Sequence, residues 1–170
     1  ETTSNSTPAR ELLNGLYGFD LNPLAVLTAR ASIVVFLSGR FDASDPVLLP
    51  VFLADAINTA DPVDGVFTHS ILTEKGERSF SIPVRLAESA DFFPVMDQLR
   101  VCIDAGLDCP AIETSLKALS PVIRSFEAPA AAVFKQTIED LADLHRNHWN
   151  GIWCLILFDR IEAGCVKDID

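Results

Sequence analysis

Residues 17–26 read Tyr-Gly-Phe-Asp-Leu-Asn-Pro-Leu-Ala-Val, and this stretch decides the fold class. Together with Leu16, its first three residues form a short apolar run, residues 16–19. This run predicts a buried strand that ends at Asp20. The Asn-Pro pair that follows is a helix-start signal, because Asn can cap a helix and Pro is preorganised for its first turn. The stretch therefore predicts a strand that leads directly into a helix, which we expect to reach about Leu37.

The sequence on either side extends this alternation of helix and strand. Residues 8–14 predict a short helix upstream, and residues 48–53 predict a second buried strand that ends in Ala54-Asp55. A helix–strand–helix–strand order implies a right-handed crossover and a parallel sheet. The crossover helix, with Gly39 as its expected stop, has apolar residues at helical spacing, namely Leu24, Leu27, Ala31, Val34 and Val35.

The rest of the chain departs from this alternation. Residues 66–72 and 78–84 are strand-like and flank a turn that contains Gly76, which predicts a β-hairpin inserted after the second strand. From residue 87 onward the chain is predicted to be mostly helical. The expected helices cover residues 89–105, ended by Gly106; residues 110–126, bent or split at Pro121; and residues 129 to about 162, with a break at Asn150-Gly151.

Composition limits the classes of function. The 170 residues suit one domain, and 49% of them are hydrophobic, enough for a core. A net charge of −11 argues against this chain wrapping nucleic acid by itself, since phosphate binding needs clustered Lys and Arg. The apolar stretches are too short to span a bilayer and the first residues lack a signal peptide, so we expect no membrane association. The four cysteines form no CxxC pair, and reduced thiols in a cytoplasmic location are expected.

Acidic residues close both predicted strands. Asp20 and the apolar Leu21 follow the first strand, and Asp55 and Ala56 follow the second. The carboxyl ends of buried parallel strands are where open α/β sheets hold a nucleoside, and a carboxylate there can accept two hydrogen bonds from a ribose diol. Either acid also suits a plain helix cap or turn, and an NAD-type cofactor fits the pair as well as any other adenosine-containing one.

The runs YGFDLNPLAVLTAR, residues 17–30, and LPVFLADAI, residues 49–57, resemble a known family. They are similar to the segment after the glycine-rich loop in amino-methyltransferases of restriction–modification systems, especially the large Eco57I-like adenine-specific enzymes. The resemblance covers residues 15–58, and residues 147–153 weakly resemble the helix before the catalytic strand of these enzymes. It implies an α/β fold built on a partial Rossmann-like methyltransferase sheet.

The resemblance also assigns roles to the residues at the strand ends. It implies S-adenosylmethionine as the cofactor, with the ribose hydroxyls bound by Asp20 and the adenine packed on Leu21. Asp55 would accept a hydrogen bond from the adenine amino group, and Ala56 would supply a backbone contact. Asn22 and the proline after it would shape the turn rather than touch the ligand.

Two motifs of the family are missing from the sequence. Neither the glycine-rich loop nor the Asn/Asp-Pro-Pro-aromatic motif that positions the target amino group is present. The resemblance therefore implies an internal, inactive fragment of a DNA adenine-N6 methyltransferase, without a catalytic residue of its own. DNA, with its target base flipped out, would be bound by other parts of the parent. The expected segments are a partial methyltransferase core (1–59), a β-hairpin insertion (60–86) and a helical region leading toward the missing catalytic strand (87–170).

The sequence also contains residues that suit other functions. His145 and His148 have a spacing that could share a metal, but a solvated helix face is the better account, and no metal site is predicted. The alternatives are a non-enzymatic helical protein-interaction module, with a partner on Trp149 and Trp153, and a fragment of a nucleotide-binding oxidoreductase. Self-association through an exposed sheet edge is also expected, because strands that would pair with this sheet are absent.

Overall fold

A computed structural model describes residues 7–41, 47–54, 62–73, 76–147 and 151–166 of the chain, with side chains omitted at 151–155 and 166. Within these residues the protein is a mixed α/β fold, mostly helical, with a two-stranded parallel sheet and a separate antiparallel hairpin. The chain divides into two compact units, Glu1–Ala56 and Ile57–Asp170.

The first unit contains the predicted alternation. Its elements are helix α1 (Ala9–Leu13), strand β1 (Gly18–Asp20), helix α2 (Pro23–Phe36) and strand β2 (Val51–Leu53). The two strands are parallel, which confirms the crossover. Both strands are shorter than predicted.

The shortening of each strand has a local cause. The amide of Leu16 bonds back to the carbonyl of Leu13 at 3.1 Å, so the residues before Gly18 belong to the turn that ends α1. Pro50 has no backbone N–H and cannot donate a hydrogen bond to the other strand, but its carbonyl accepts one from Gly18 N at 2.8 Å. The hydrogen bonds between the two strands therefore begin at Gly18 and Pro50.

Helix α2 begins as the Asn-Pro signal predicts. Asn22 is its N-cap, and the Asn22 Oδ1 atom accepts a hydrogen bond from Leu24 N at 2.9 Å. The helix buries Val26, and Leu37, the C-cap residue that follows it, packs with Ala9 and Leu13 of α1. The other apolar stripe faces outward: Leu24 is 71% exposed and Val35 is 75% exposed. Helix α2 is thus apolar on two faces; among the described residues of this unit, one face is packed and the other is exposed.

The second unit starts with the predicted hairpin. Strands β3 (Val66–Thr73) and β4 (Gly76–Pro83) are antiparallel and pair along their whole length. Gly76 has a φ of +114°, a conformation that favours glycine, and Thr73 Oγ1 donates to the Gly76 carbonyl at 2.7 Å. The hairpin prediction is confirmed, with strand ends shifted by one residue or a few.

Helices form the rest of this unit. They are α3 (Val84–Ala87), α4 (Phe92–Asp104), α5 (Cys109–Leu119), α6 (Pro121–Arg124), α7 (Ala128–Asn147) and α8 (Gly151–Val166). The predicted stop at Gly106, with a φ of +70°, and the split at Pro121 are both confirmed. In the part of the chain that the structure describes, no helix combines the length and apolar character needed to cross a membrane.

Helix α4 begins three residues later than predicted, because Ser89 forms a turn instead of a helix start. Its hydroxyl donates to the Leu86 carbonyl at 2.8 Å and accepts from Asp91 N at 3.3 Å. This arrangement ends α3 and leaves Asp91 as the residue that precedes α4. The described parts of the long helix predicted over residues 129–162 are α7 and α8; the predicted break at Asn150-Gly151 falls partly on residues 148–150, which lie outside the described part.

The hairpin is flanked by two of these helices. On the β4 side, Thr137 Oγ1 of α7 accepts from the amide of Ser81 at 2.8 Å and donates to its carbonyl at 3.0 Å. On the β3 side, α8 packs against the strand. The open backbone edge of β4 is thus covered by a helix rather than by another strand. The largest fully buried side chains described in this unit are Phe80, Ile82, Leu86, Phe92, Met96, Leu99, Ile112, Leu116, Ile138, Leu144 and Leu157.

Candidate functional site

The best-defined candidate site is the carboxyl end of β1. Asp20 is the last residue of this strand and is exposed. Its Oδ1 atom accepts a hydrogen bond from Asn22 N at 2.7 Å, while Asn22 in turn caps α2. Asp20 therefore has the turn-forming role that the alternative interpretation predicted. A carboxylate offers about four acceptor positions, so this bond does not exhaust its capacity.

The parallel register brings the end of β2 to the same place. Asp20 is the register partner of Leu53, and Ala54 N donates to the Asp20 carbonyl at 3.1 Å. Both strands thus end at one edge of the sheet, as the sequence predicted. Asp55 and Ala56 lie outside the described residues, so their approach to Asp20 stays a prediction.

Leu21 is available at this edge. Its side chain is 63% exposed and follows Asp20 directly. An apolar side chain in that position offers a surface against which a flat ring can pack. Placing a nucleoside here would remove apolar area from water, which is favourable.

Sequence reasoning missed two contacts that hold the strands and helix in place. Arg30 of α2 donates through Nε to the Val51 carbonyl at 2.8 Å, and the rings of Phe19 and Phe52 stack with centroids 5.8 Å apart. Arg30 reaches the start of β2, whereas Asp20 lies beside its end. These contacts fix the position of the strand ends. They depend on pairing between residues distant in sequence, and no local motif indicates them.

The histidine candidate is explained by an ion pair. His145 Nε2 lies 3.3 Å from Asp104 Oδ1, a contact that is ionic when the imidazole is protonated. Among the described residues no group of three or more metal-binding side chains comes together. His148 and Trp149 fall outside the described residues, as does the side chain of Trp153.

The three cysteines whose side chains the structure describes, Cys102, Cys109 and Cys165, show no sign of nucleophilic activation. Cys102 is buried, and its sulfur accepts from Gln98 Nε2 at 3.4 Å. Burial, with the Glu162 carboxylate as a second cause, raises the pKa of Cys165 far above its ordinary value. Burial also raises the pKa of Cys109, and the nearby Glu139 adds to the effect. A raised pKa keeps a thiol protonated, the opposite of what a catalytic thiolate needs.

A shallow apolar depression lies between α5, α6 and α7. Phe126, Phe134 and Ile138 contribute to its lining. At its rim Glu113 contacts both Lys117, at 3.2 Å, and Lys135, at 3.6 Å. Both lysines at the rim are therefore engaged in ion pairs with Glu113.

Comparison with known proteins adds no family assignment. No protein-family model, no curated protein and no solved structure matches this chain.

Proposed function

We propose that this chain is part of an S-adenosylmethionine-dependent DNA methyltransferase that modifies adenine at N6, and that it supplies the adenosine half of the cofactor pocket. The observation that carries the proposal is the position of Asp20. It closes a parallel strand at the edge where β2 also ends, immediately before the N-terminus of α2. This is the place where open α/β sheets bind nucleosides. The FDLNPLAV run that surrounds it, residues 19–26, is the most specific part of the family resemblance.

The residues at this edge suit the adenosine part of the cofactor. Asp20 would accept hydrogen bonds from the ribose hydroxyls with the acceptor positions that Asn22 N does not use. Leu21 would pack on the adenine, and Asp55 and Ala56 would bind its amino group and a ring nitrogen. The bound cofactor would supply an activated methyl group. Methyl transfer itself would depend on residues of the parent beyond this chain.

The acidic charge of the chain agrees with this division of roles. A net charge of −11 opposes DNA binding by these residues, so the contacts to phosphate would come from other parts of the parent. In the proposed enzyme, this chain therefore serves the cofactor and a more basic region serves the DNA.

The direct test measures methyl transfer by the protein expressed from the intact gene. We expect transfer from tritiated S-adenosylmethionine to adenine N6 in duplex DNA. Asp20→Ala should raise the KM for the cofactor by about 10- to 100-fold, since hydrogen bonds to a charged group contribute about 1.5–3 kcal/mol. Asp108→Ala is the matched control, because Asp108 also accepts a backbone hydrogen bond at a helix start, from Ala111 N at 2.9 Å. Absence of methyl transfer, or an equal rise in KM for both variants, would reject the proposal.

The isolated chain should bind the cofactor weakly or not at all, because the glycine-rich half of the pocket is missing from its sequence. Isothermal calorimetry with S-adenosylmethionine measures this directly. Micromolar affinity would contradict the proposed division of the pocket.

A second candidate function is a non-enzymatic protein-interaction module. It is favoured by the outer face of α2, where Leu24, Leu27 and Val35 are exposed. Contiguous apolar surface of this kind often marks a binding site for another protein. This candidate predicts no nucleoside binding and no methyl transfer, so the methylation assay separates the two functions.

A further inference from the structure

His69 occupies an unusual place in the hairpin. It lies on β3 directly opposite Phe80, on the same face as Phe67 and Ile82. These three neighbours are buried: Phe80 and Ile82 have 0% exposure and Phe67 has 5%. The Nε2 atom of His69 is itself inaccessible to solvent and has no hydrogen-bond partner among the described residues. A polar ring atom is therefore enclosed by apolar side chains on this face.

Charged side chains occur on both elements that pack against His69 and its strand. The elements packed against β3 are β4 and α8. Strand β4 carries Glu77 and Arg78, while α8 carries Asp159, Arg160 and Glu162.

Arg78 is on the same face of the hairpin as His69 but is directed to α7, where it pairs with Asp143 at 2.8 Å and with Asp140 at 3.6 Å. The group that acts electrostatically on the imidazole is Arg160. Burial, followed by the charge of Arg160, lowers the pKa of His69 below its ordinary value.

We propose that His69 makes the packing of the hairpin against α8 acid-labile, so that protonation of its ring loosens β3 from this helix. Protonation turns both ring nitrogens into donors and adds a positive charge. At this position the new charge would have no acceptor at Nε2 and would lie near a second cation, Arg160. Burying an uncompensated charge is unfavourable, and the strain is relieved if the ring moves into water.

The pH range follows from linkage between proton binding and folding. The folded chain favours the neutral ring, and the unfolded chain titrates near pH 6.5. The stabilising effect is therefore complete above about pH 6.5 and is lost as the pH falls toward the pKa of the folded state. At pH 5.5 the folding equilibrium constant should be lower by up to about tenfold through this residue. This inference does not depend on the cofactor site.

The test compares two variants of the 170-residue chain at pH 7.5 and pH 5.5. His69→Phe keeps an aromatic ring opposite Phe80 and cannot take up a proton. His145→Phe is the matched control, because His145 lies beside Asp104 and should not share the effect. We expect urea unfolding to show that the acid-induced fall in the folding equilibrium constant is smaller for His69→Phe than for the unchanged chain or the control, by a factor of up to about ten. Equal losses in all three proteins would overturn the proposal.

If His69→Phe does not fold, the proposal can be tested by a measurement on the unchanged chain. The titration of the His69 ring can be followed by NMR through its Cε1 proton, together with amide exchange in β3 and α8. We expect a midpoint for His69 below about 6.5, and exchange protection that falls in both elements as the ring is protonated. A midpoint at or above about 6.5, with constant protection, would count decisively against the acid-labile contact.

Discussion

Ser120 shows how one small polar side chain can join two helices. It is completely buried, with 0% exposure, and its hydroxyl donates to Asp91 Oδ2 at 2.6 Å. The same oxygen accepts from Ile123 N at 3.4 Å, which caps α6. Ser120 therefore links the start of α4 to the start of α6 through a single atom.

Replacing Ser120 tests this role. Ser120→Ala removes the cap and leaves the half-buried Asp91 carboxylate without this donor, so we expect a loss of about 1–3 kcal/mol in the free energy of unfolding. The exposed Ser125, whose hydroxyl donates to Val122 O at 2.8 Å, gives the matched Ser125→Ala control, expected to stay within about 0.5 kcal/mol. Urea denaturation followed by circular dichroism measures both. Similar effects for the two variants would show that the link contributes little.

At the scale of residues, the candidate site was predictable only in part. The Asn-Pro pair determines the start of α2 by local chemistry, so the cap at Asn22 and the position of Asp20 before it follow from the sequence. The contact of Arg30 with Val51 does not, because it depends on the return of the chain to the sheet. The functions of Asp20, Leu21, Asp55 and Ala56 stay predictions.

Among the helices and strands, the contact between α7 and β4 depends on Thr137. Its side chain is 1% exposed and satisfies both the amide and the carbonyl of Ser81. Strand edges normally need another strand or water for these groups. Here a side-chain hydroxyl on a helix takes that place, while Arg78 adds ion pairs to Asp140 and Asp143 farther along the same helix.

Substituting this hydroxyl by a methyl group isolates its contribution. Thr137→Val keeps the shape and leaves two backbone groups of Ser81 without this partner, so we expect unfolding to become easier by about 1–3 kcal/mol. The exposed Thr114 bonds to Pro110 O at 2.8 Å within its own helix, and Thr114→Val is the matched control. Hydrogen exchange of the Ser81 amide provides a local readout. Unchanged exchange and unchanged stability in Thr137→Val would contradict this account.

The elements themselves were predictable where their signals are local. Strand-like residues on both sides of a turn with Gly76 are typical of a hairpin, and a proline such as Pro121 interrupts a helix. The sequence predicts neither the short helix α3 nor the start of α4 at Phe92. Ser89 suits the start of a helix, but in the structure its hydroxyl bonds to the end of α3. The cover on β4 could not be predicted either, since Ser81 and Thr137 are far apart in sequence.

For the whole molecule, the two faces of α2 have different consequences. The inner face packs within the unit Glu1–Ala56, where Leu37 meets α1. The outer face exposes Leu24, Leu27 and Val35 without an intervening charged side chain, and Phe36 beside it is 85% exposed. Apolar surface of this extent favours association between molecules, in addition to pairing at the sheet edge.

Self-association is therefore expected at high concentration. Val35→Lys should reduce the weight-average mass toward that of one chain without lowering the melting temperature, because Val35 is 75% exposed and contributes little to the core. Leu72→Lys is a suitable control, since Leu72 is 86% exposed on β3 in the other unit. Light scattering over a range of concentrations measures the mass. If the chain without substitutions is strictly monomeric at all concentrations, this expectation is wrong.

The cover on β4 also bears on how this protein can be damaged. While Thr137 bonds to the Ser81 amide and carbonyl, these two backbone groups of β4 cannot pair with a strand from another molecule. Once α7 detaches, the same strand becomes a template on which an identical strand from another molecule can align, in the manner that seeds fibril growth. Conditions that detach this helix should therefore favour aggregation through β4 and shorten the lag time before turbidity.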